Sequence, residues 1–366
     1  MKPGMQFMLS AAASLLMAVS AASAEEDKVL NIYNWSDYIA EDTIENFEKR
    51  TGIKVNYDVF DSNEVLEAKL LAGNTGYDIV VPSGSFLERQ IMAGVFGKID
   101  RTRLQNYGNL DPDILGRVDV HDSGNEHSVP YMWGTTGIGY NVKMVEERMP
   151  DAPVDSWDMI FDPEVVSEFA DCGVTLLDAP TEVISAALNY LGLDPNSEDK
   201  GDLKEAEALL MSIRPHIKYF HSSQNINDLA NGDICVAMGW NGDMLIARDR
   251  AAEAAQGVEV AYTIPKEGAL IWFDLMAIPS DAPHPQNAHL FLDYIMEPEV
   301  IAAVSDYVFY ANGNSASIEF VDPEVKGDPG IYPSDEVKAK LFPDKVNSPK
   351  FDRLLTRAWT RIKTGK

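Results

Sequence analysis

Short apolar runs alternate with amphipathic stretches over the first part of the chain, a pattern typical of alternating strands and helices. Strands are predicted at 29–33, 54–59 and 77–81, where apolar residues are continuous or alternate with polar ones. The two intervening stretches carry apolar residues at helical spacing and end near Gly52 and Gly73. Because a β-α-β-α-β order requires crossover connections, we predict a parallel sheet with helices on its faces.

A second α/β unit follows the glycine-rich stretch 134–140. Apolar runs at 174–178 and 234–238 predict buried strands, and helical spacing at 183–191 and 202–213 predicts helices. A further strand is predicted at 272–278 and a surface loop at 322–334. Helices are predicted at 286–296, 299–304 and 351–362. Two such units, in a chain too long for one typical domain, indicate two domains.

The first 24 residues have the pattern of a secretory signal sequence. Lys2 precedes an apolar stretch, and Ala22-Ser23-Ala24 supplies small residues at the cleavage positions. We therefore expect cleavage after Ala24 and export to a bacterial periplasm. The apolar stretch is too short to span a bilayer, so we expect no insertion into the membrane.

The chain is strongly acidic, with 58 acidic and 30 basic residues and a formal net charge of −28. Such a chain repels nucleic acid and anionic lipid surfaces, and we expect neither as a partner. It attracts cations over distances that salt screening sets. Since many exported proteins are acidic without binding cations, the charge supports a cationic ligand only weakly.

The chain has two cysteines, Cys172 and Cys235. In an oxidising compartment an isolated pair favours a disulfide, and two buried thiols are the alternative. Nothing around either cysteine indicates redox chemistry, so a bond between them is predicted to be structural.

Three tryptophans are each followed within three residues by an aspartate. The pairs are Trp35 with Asp37, Trp240 with Asp243, and Trp272 with Asp274. An indole face and a carboxylate are the two groups that attract an organic ammonium. In so acidic a chain, however, a tryptophan has roughly a 40% chance of such a neighbour, and Trp157-Asp158 is predicted to be a structural case.

The other pairs differ from such chance neighbours in where they lie relative to the predicted strands. Trp35 follows the first strand, Ser83 follows the third, and Trp240 follows the strand at 234–238. In parallel α/β sheets ligands bind at the carboxyl ends of the strands. If the fold brings these segments together, the sequence predicts a site for a small amine.

Signatures of enzymes and metalloproteins are missing from the sequence. It contains no HExxH motif, no GxSxG motif and no P-loop, and we expect neither a metal nor a cofactor. Ser83 has no histidine in a convincing context to act as its base. Glu182 and Asp243 could act as the acid and base of a glycosidase, which keeps an exported hydrolase as the alternative from another class.

Seven ordered segments resemble the periplasmic putrescine- and spermidine-binding proteins of bacterial polyamine ABC transporters. They are IYNWSDYI (32–39), GYDIVVPSGSFLERQ (76–90), GTTGIGYN (134–141), LDAPTEV (177–183), CVAMGWNGD (235–243), WFDLMAIP (272–279) and YANGN (310–314). The likeness covers nearly the whole chain after the signal sequence.

The resemblance implies an α/β fold with two hinged lobes and mainly parallel central sheets, the type II periplasmic solute-binding architecture. Lobe 1 is expected to comprise 25–134 and about 260–305, and lobe 2 to comprise 135–259 and about 306–366, including the C-terminal helices. The hinge is expected where the chain crosses between the lobes, near Thr135–Tyr140 and Glu259–Ile264.

The resemblance also implies a ligand site and partners. Carried over by motif, the ligand-contacting residues are Trp35, Ser36, Asp37, Tyr38, Ser83, Glu182, Trp240, Asp243, Trp272, Asp274 and Tyr310. Aromatic rings would contact the methylenes of a polyamine, and carboxylates would pair with its ammonium groups. The family's disulfide matches Cys172 and Cys235. The expected partners are a polyamine and the membrane permease subunits of an ABC importer, with the receptor acting as a monomer.

The choice among polyamines stays open in the sequence. Trp272 resembles the spermidine-preferring relatives, whereas putrescine-preferring ones tend to have phenylalanine there. Ala179-Pro180-Thr181, however, lacks the acid that some spermidine binders carry shortly before the position of Glu182. Another cationic amine, such as agmatine or a quaternary amine, is the nearest alternative ligand.

Overall fold

A computed structural model describes residues 26–366, so the predicted signal sequence lies outside the described residues. The strands of this part form one mixed sheet with helices on both sides. They are β1 (Val29–Trp35), β2 (Lys54–Phe60), β3 (Ile79–Val80), β4 (Ser128–Asn141), β5 (Val174–Leu176), β6 (Ile217–Phe220), β7 (Val236–Trp240), β8 (Val260–Thr263), β9 (Leu270–Ala277), β10 (Ala311–Asn312) and β11 (Phe342–Pro343).

The helices include each of those predicted from apolar spacing. They are α1 (Thr43–Thr51), α2 (Asn63–Ala72), α3 (Gly84–Met92), α4 (Pro112–Val118), α5 (Val142–Arg148), α6 (Asp158–Phe161), α7 (Pro163–Ser167), α8 (Pro180–Tyr190), α9 (Lys200–Ile213), α10 (Gln224–Asn231), α11 (Asn241–Ala254), α12 (Pro285–Ile295), α13 (Pro298–Val308), α14 (Pro323–Gly327), α15 (Asp335–Lys338) and α16 (Pro349–Thr364). Within 26–366, none of them is both long and apolar enough to cross a membrane.

The predicted surface loop at 322–334 contains a short helix, α14, which the prediction did not include. Asp322 accepts a hydrogen bond from the backbone N–H of Glu324, and Pro323 occupies the first helical position. Both features favour the start of a helix, although the segment is rich in the residues that usually mark loops.

The α/β class is confirmed, and parallel and antiparallel pairings occupy different parts of the sheet. β1 pairs in parallel with β2 and β3 at one end, and β5 pairs in parallel with β6 and β7 at the other. Two long strands, β4 and β9, run antiparallel to each other in the middle. Parallel strands therefore supply two outer regions, joined by an antiparallel centre.

β4 connects the two halves of the sheet. Its residues 128–135 pair with β9, whereas its residues 136–141 pair with β7 and β8. The change of partner falls within the glycine-rich stretch. A Cβ atom added at Gly137 would overlap the backbone of Thr263, and one at Gly139 would overlap the side chain of Met244. Glycine is needed there because neighbouring groups approach the strand so closely.

The apolar core divides in the same way as the sheet. Ile32 and Phe291 belong to a core around the first half, whereas Trp157 and Val236 belong to a core around the second. The C-terminal helix α16 packs into the second core, but residues 308–331 pack with the first half. The predicted lobe boundaries stay a prediction. If the two cores define the lobes, 308–331 belongs to lobe 1.

A disulfide joins Cys172, before β5, to Cys235, before β7, as predicted. The alternative of two buried thiols was therefore wrong. The bond links residues 63 positions apart and lies within the core of the second half. In the chain-entropy treatment a loop of this length stabilises the folded state by about 4 kcal/mol.

Candidate functional site

One cavity lies between the two halves of the sheet and is lined by all eleven residues predicted to contact a ligand. Its volume is about 1020 Å³, which includes space open to solvent at the mouth. Six outer parallel strands end at this cavity: β1, β2, β3, β5, β6 and β7. Five of them are followed by helices that begin at the cavity wall. The site therefore lies where parallel α/β sheets bind their ligands.

Asp274, on β9, is the most deeply buried acid of the cavity and has only neutral hydrogen-bond partners. Its two carboxylate oxygens accept hydrogen bonds from the hydroxyls of Tyr38, at 2.8 Å, and Ser83, at 2.6 Å. Burial raises the pKa of Asp274 to about 7, although both hydrogen bonds favour the charged form. Asn63 holds Ser83 in place by donating to its oxygen and accepting from its backbone N–H.

Glu182 lies in the first turn of α8 and is half-buried. Its Oε2 accepts hydrogen bonds from the hydroxyl of Thr136, at 2.5 Å, and from the indole N–H of Trp240, at 2.9 Å. Burial raises the pKa of Glu182 to about 7, with the hydrogen bonds acting in the opposite direction. Thr136 belongs to the part of β4 that crosses to the second half, so this carboxylate is fixed at the junction of the two halves.

Asp243 lies in the first turn of α11 and is also half-buried. The hydroxyl of Tyr310 donates to its Oδ1 at 3.0 Å and accepts from its backbone N–H at 3.1 Å. Burial raises the pKa of Asp243 to about 7, and the hydrogen bond from Tyr310 opposes this rise. The N-terminal ends of α8 and α11 further favour the charged forms of Glu182 and Asp243.

Aromatic rings from both halves form the apolar walls. Trp35 and Trp240 meet edge to face with their centroids 6.0 Å apart, and Tyr310 packs edge to face on both Tyr38, at 5.3 Å, and Trp272, at 5.2 Å. The indole N–H groups of Trp35 and Trp240 donate to Val81 and Glu182, respectively. Their hydrogen-bonding edges are occupied, which leaves the apolar and π surfaces of these rings for contact with a ligand.

Ser36 and Asp37 lie at the exposed side of the cavity, and the structure gives Asp37 a partner within the protein. The carboxylate of Asp37 lies 3.4 Å from the guanidinium of Arg250, on α11. Asp37 adopts a left-handed backbone conformation (φ 52°), which aspartate tolerates better than most residues. Among the predicted carboxylates, Asp37 is therefore distinct in forming an ion pair with a basic side chain.

Thr136, Arg250 and Asp344 were not predicted as site residues, although all three contribute to the site. Thr136 lies in the glycine-rich stretch that was predicted only as part of the hinge, and Arg250 lies on α11, which was not predicted. Asp344, which lines the cavity, follows a two-residue strand in a segment without apolar periodicity. No local signal marks such positions, because only the tertiary fold brings them to the cavity.

The residues of the cavity do not form a metal site. In the described part of the chain, no three His, Cys, Asp or Glu side chains are grouped so that they could hold a metal ion. Glu182, Asp243 and Asp274 each have hydroxyl or indole partners of their own, so they act as separate anionic groups around the cavity.

An α/β fold with a cavity between two halves, lined by buried carboxylates and aromatic rings, is the arrangement of a receptor for a small solute. Residues 42–333 match the bacterial extracellular solute-binding protein family, and the chain belongs to this family. The family consists of solute-binding proteins and not of enzymes, so the hydrolase alternative was wrong.

Individual relatives cover almost the whole chain and confirm the resemblance predicted from the sequence. The chain is 58% identical to the putrescine-binding periplasmic protein PotF of Escherichia coli (strain K12), over 97% of this chain and 96% of the relative. It is 54% identical to the putrescine-binding periplasmic protein SpuD of Pseudomonas aeruginosa (strain UCBPP-PA14), over 94% of each.

A solved structure, described as a putative spermidine/putrescine ABC transporter from Listeria monocytogenes, has the same fold. It superimposes with a TM-score of 0.82 at 32% identity, covering 93% of this chain and all of that chain.

The three raised pKa values generate a prediction for the ligand-free protein. The side-chain carboxyl ¹³C signals of Glu182, Asp243 and Asp274 should titrate near pH 7, because burial penalises their charged forms. Each signal can be assigned from its loss in the corresponding amide variant. Midpoints near pH 4 for all three, as in unstructured peptides at about 3.9 to 4.3, would show that the cavity does not disfavour the charged forms.

Proposed function

We propose that this chain is a periplasmic polyamine receptor that delivers its ligand to an ABC importer. One observation carries the proposal: Glu182, Asp243 and Asp274 line an aromatic cavity, and within 26–366 none of them forms an ion pair with a basic side chain. The names of the most similar relatives support the same class of ligand.

Buried carboxylates without a basic partner need a cation or a proton. Removing a carboxylate from water is costly unless a counter-charge and hydrogen-bond donors replace the solvent. A primary ammonium group supplies both, since it carries a positive charge and three N–H donors. The cavity therefore matches a ligand that brings several ammonium groups to separated acids.

The aromatic walls match the remainder of such a ligand. A polyamine is a chain of methylene groups between ammonium groups, and its methylenes require an apolar surface. Trp35, Trp240, Trp272 and Tyr310 provide that surface, and their π faces also attract cations. A quaternary amine matches less well, because it has no N–H group to donate to the carboxylates.

The length of the polyamine is a finer question. The names of the two bacterial relatives favour the diamine putrescine. Trp272, together with the three buried acids Glu182, Asp243 and Asp274, favours a triamine such as spermidine. Agmatine also fits, because its guanidinium group would replace one ammonium group beside a carboxylate.

Delivery is proposed to follow from a closing motion of the two halves around the ligand. Glu182, Trp240 and Asp243 belong to the second half, whereas Tyr38, Ser83 and the Trp35 ring belong to the first. A ligand that contacts both sets favours the closed arrangement by its differential affinity. The closed form would then dock on the permease, after export directed by residues 1–24. That the receptor acts as a monomer stays a prediction.

Calorimetry with a panel of ligands tests this function. Ligand-free protein, obtained by unfolding, dialysis and refolding, should bind at least one of putrescine, cadaverine, spermidine and spermine with micromolar or tighter affinity, on the order of −8 kcal/mol. Choline serves as the quaternary control and should bind far more weakly. Protein that refolds to the native circular dichroism spectrum but binds none of the four polyamines would contradict the proposal.

Replacing Asp243 with asparagine should weaken polyamine binding by tenfold or more. The variant keeps the shape of the side chain but leaves a buried ammonium group without its counter-charge, a loss of roughly 1.5–3 kcal/mol. Asp249→Asn is the matched control, because Asp249 is an exposed acid on the same helix. Equal dissociation constants for Asp243→Asn and the parent chain would remove Asp243 from the site.

A further inference from the structure

Four polar side chains form a connected group behind and within one wall of the cavity. Asp344 lines the cavity and is 15% exposed. The hydroxyl of Ser85 donates a hydrogen bond to its Oδ2. His121 lies on the other side, with its Nε2 3.8 Å from Asp344 Oδ1 and its Nδ1 3.1 Å from Glu88 Oε2. The proposed polyamine site does not use Ser85, His121 or Glu88.

The position of the His121 ring is tightly restricted. Its side chain is 1% exposed, and both of its nitrogens face carboxylates. A Cβ atom added at Gly84 would overlap the ring, so the start of α3 is packed directly against it. An imidazole held in this way cannot turn without leaving Glu88 and Asp344. It therefore provides a rigid support behind the cavity wall.

Asp344 depends on that support because regular secondary structure does not fix its own backbone. It lies in the segment between β11, which ends at Pro343, and α16, which begins at Pro349. This segment is outside regular secondary structure. Ser85 and His121, from α3 and the segment after α4, pack with the first half, whereas α16 packs into the second core. Side-chain contacts thus decide where the Asp344 carboxylate is directed.

Asp344 also adds an acid to a cavity whose wall already contains the three acids of the proposed cation site, Glu182, Asp243 and Asp274. It is close enough to Glu182 and Asp274 to raise the pKa of both carboxyls. Within residues 26–366 no lysine or arginine forms an ion pair with it. A diamine brings two positive charges to these acids, and a triamine brings three. The more acids the cavity holds, the more the additional amine contributes to binding.

We propose that His121 is a positioning residue that, together with Ser85, holds the Asp344 carboxylate at the cavity wall, where Asp344 selects triamines over diamines. The inference rests on the proposed function and makes its substrate class more specific. Asp344 acts by contact with the additional amine of the ligand. His121 acts through Asp344 and not on the ligand itself.

Titrations of the Asp344→Asn variant with putrescine and spermidine test the role of Asp344. The variant should weaken spermidine binding by roughly tenfold or more, the usual effect of removing a charged partner, and putrescine binding by less than about threefold. Thermal unfolding of the ligand-free variant checks that it folds. An equal change for both ligands, or none for either, would overturn the proposal.

Titrations of His121→Gln test the positioning role. If His121 acts through Asp344, this variant should reduce the preference for spermidine in the same direction as Asp344→Asn. It should have no further effect on that preference in the Asp344→Asn background. His216→Gln is the matched control, because His216 precedes β6, at the end of the strand away from the cavity. Independent, additive effects of the two substitutions on the spermidine-to-putrescine ratio would contradict the positioning role.

The outcomes for this inference and for the proposed function are distinguishable. A parent chain that binds no polyamine would overturn the proposed function and this inference with it. A parent chain that binds polyamines, with a spermidine-to-putrescine ratio unaffected by Asp344→Asn, would overturn this inference alone.

Discussion

Buried carboxylates that form no ion pair with a basic side chain are the constraint on which the cavity depends. Glu182, Asp243 and Asp274 are held by hydroxyl and indole donors, and burial raises the pKa of each to about 7. Burial in the cavity therefore penalises the charged form of each of these carboxyls. A cationic ligand that enters the cavity relieves this penalty, whereas a neutral ligand does not. The preference of the site for cations therefore follows from the lack of an ion-paired basic side chain at these three carboxylates.

The fold makes such an arrangement possible by bringing strand ends from two halves to one cavity. Glu182 and Asp243 lie in the first turns of helices, where the positive end of the helix dipole partly offsets the cost of burial. Asp274 lies on β9 in the antiparallel centre, between the two sets of parallel strands. β4 changes its pairing partner within the same region, so binding groups and the connection between the halves occupy one place.

Much of this architecture could be predicted because it has local signals. Apolar runs marked β1 and β2, and helical spacing marked α9 and α16 closely. The motifs that carry the family resemblance contain all eleven predicted site residues, and all eleven line one cavity. Helices α3, α10 and α11 were not predicted. Each begins within a few residues of the end of a strand, and no separate helical pattern was identified in its sequence. The pairing of Asp37 with Arg250, the support of Glu182 by Thr136, and the arrival of Asp344 at the cavity depend on contacts between residues far apart in sequence. Periodicity and spacing contain no information about such contacts.

Proton release on ligand binding is the most direct measure of whether the buried carboxylates are the cation site. Calorimetric titration with putrescine or spermidine, in buffers of different ionisation enthalpy, gives the number of protons exchanged. Because carboxyls with a pKa of about 7 are partly protonated at neutral pH, binding should release on the order of one proton at about pH 7, more at about pH 6, and less at about pH 8. Polyamine binding that releases no protons across this range would contradict the assignment of Glu182, Asp243 and Asp274 as the groups that receive the ammonium charges.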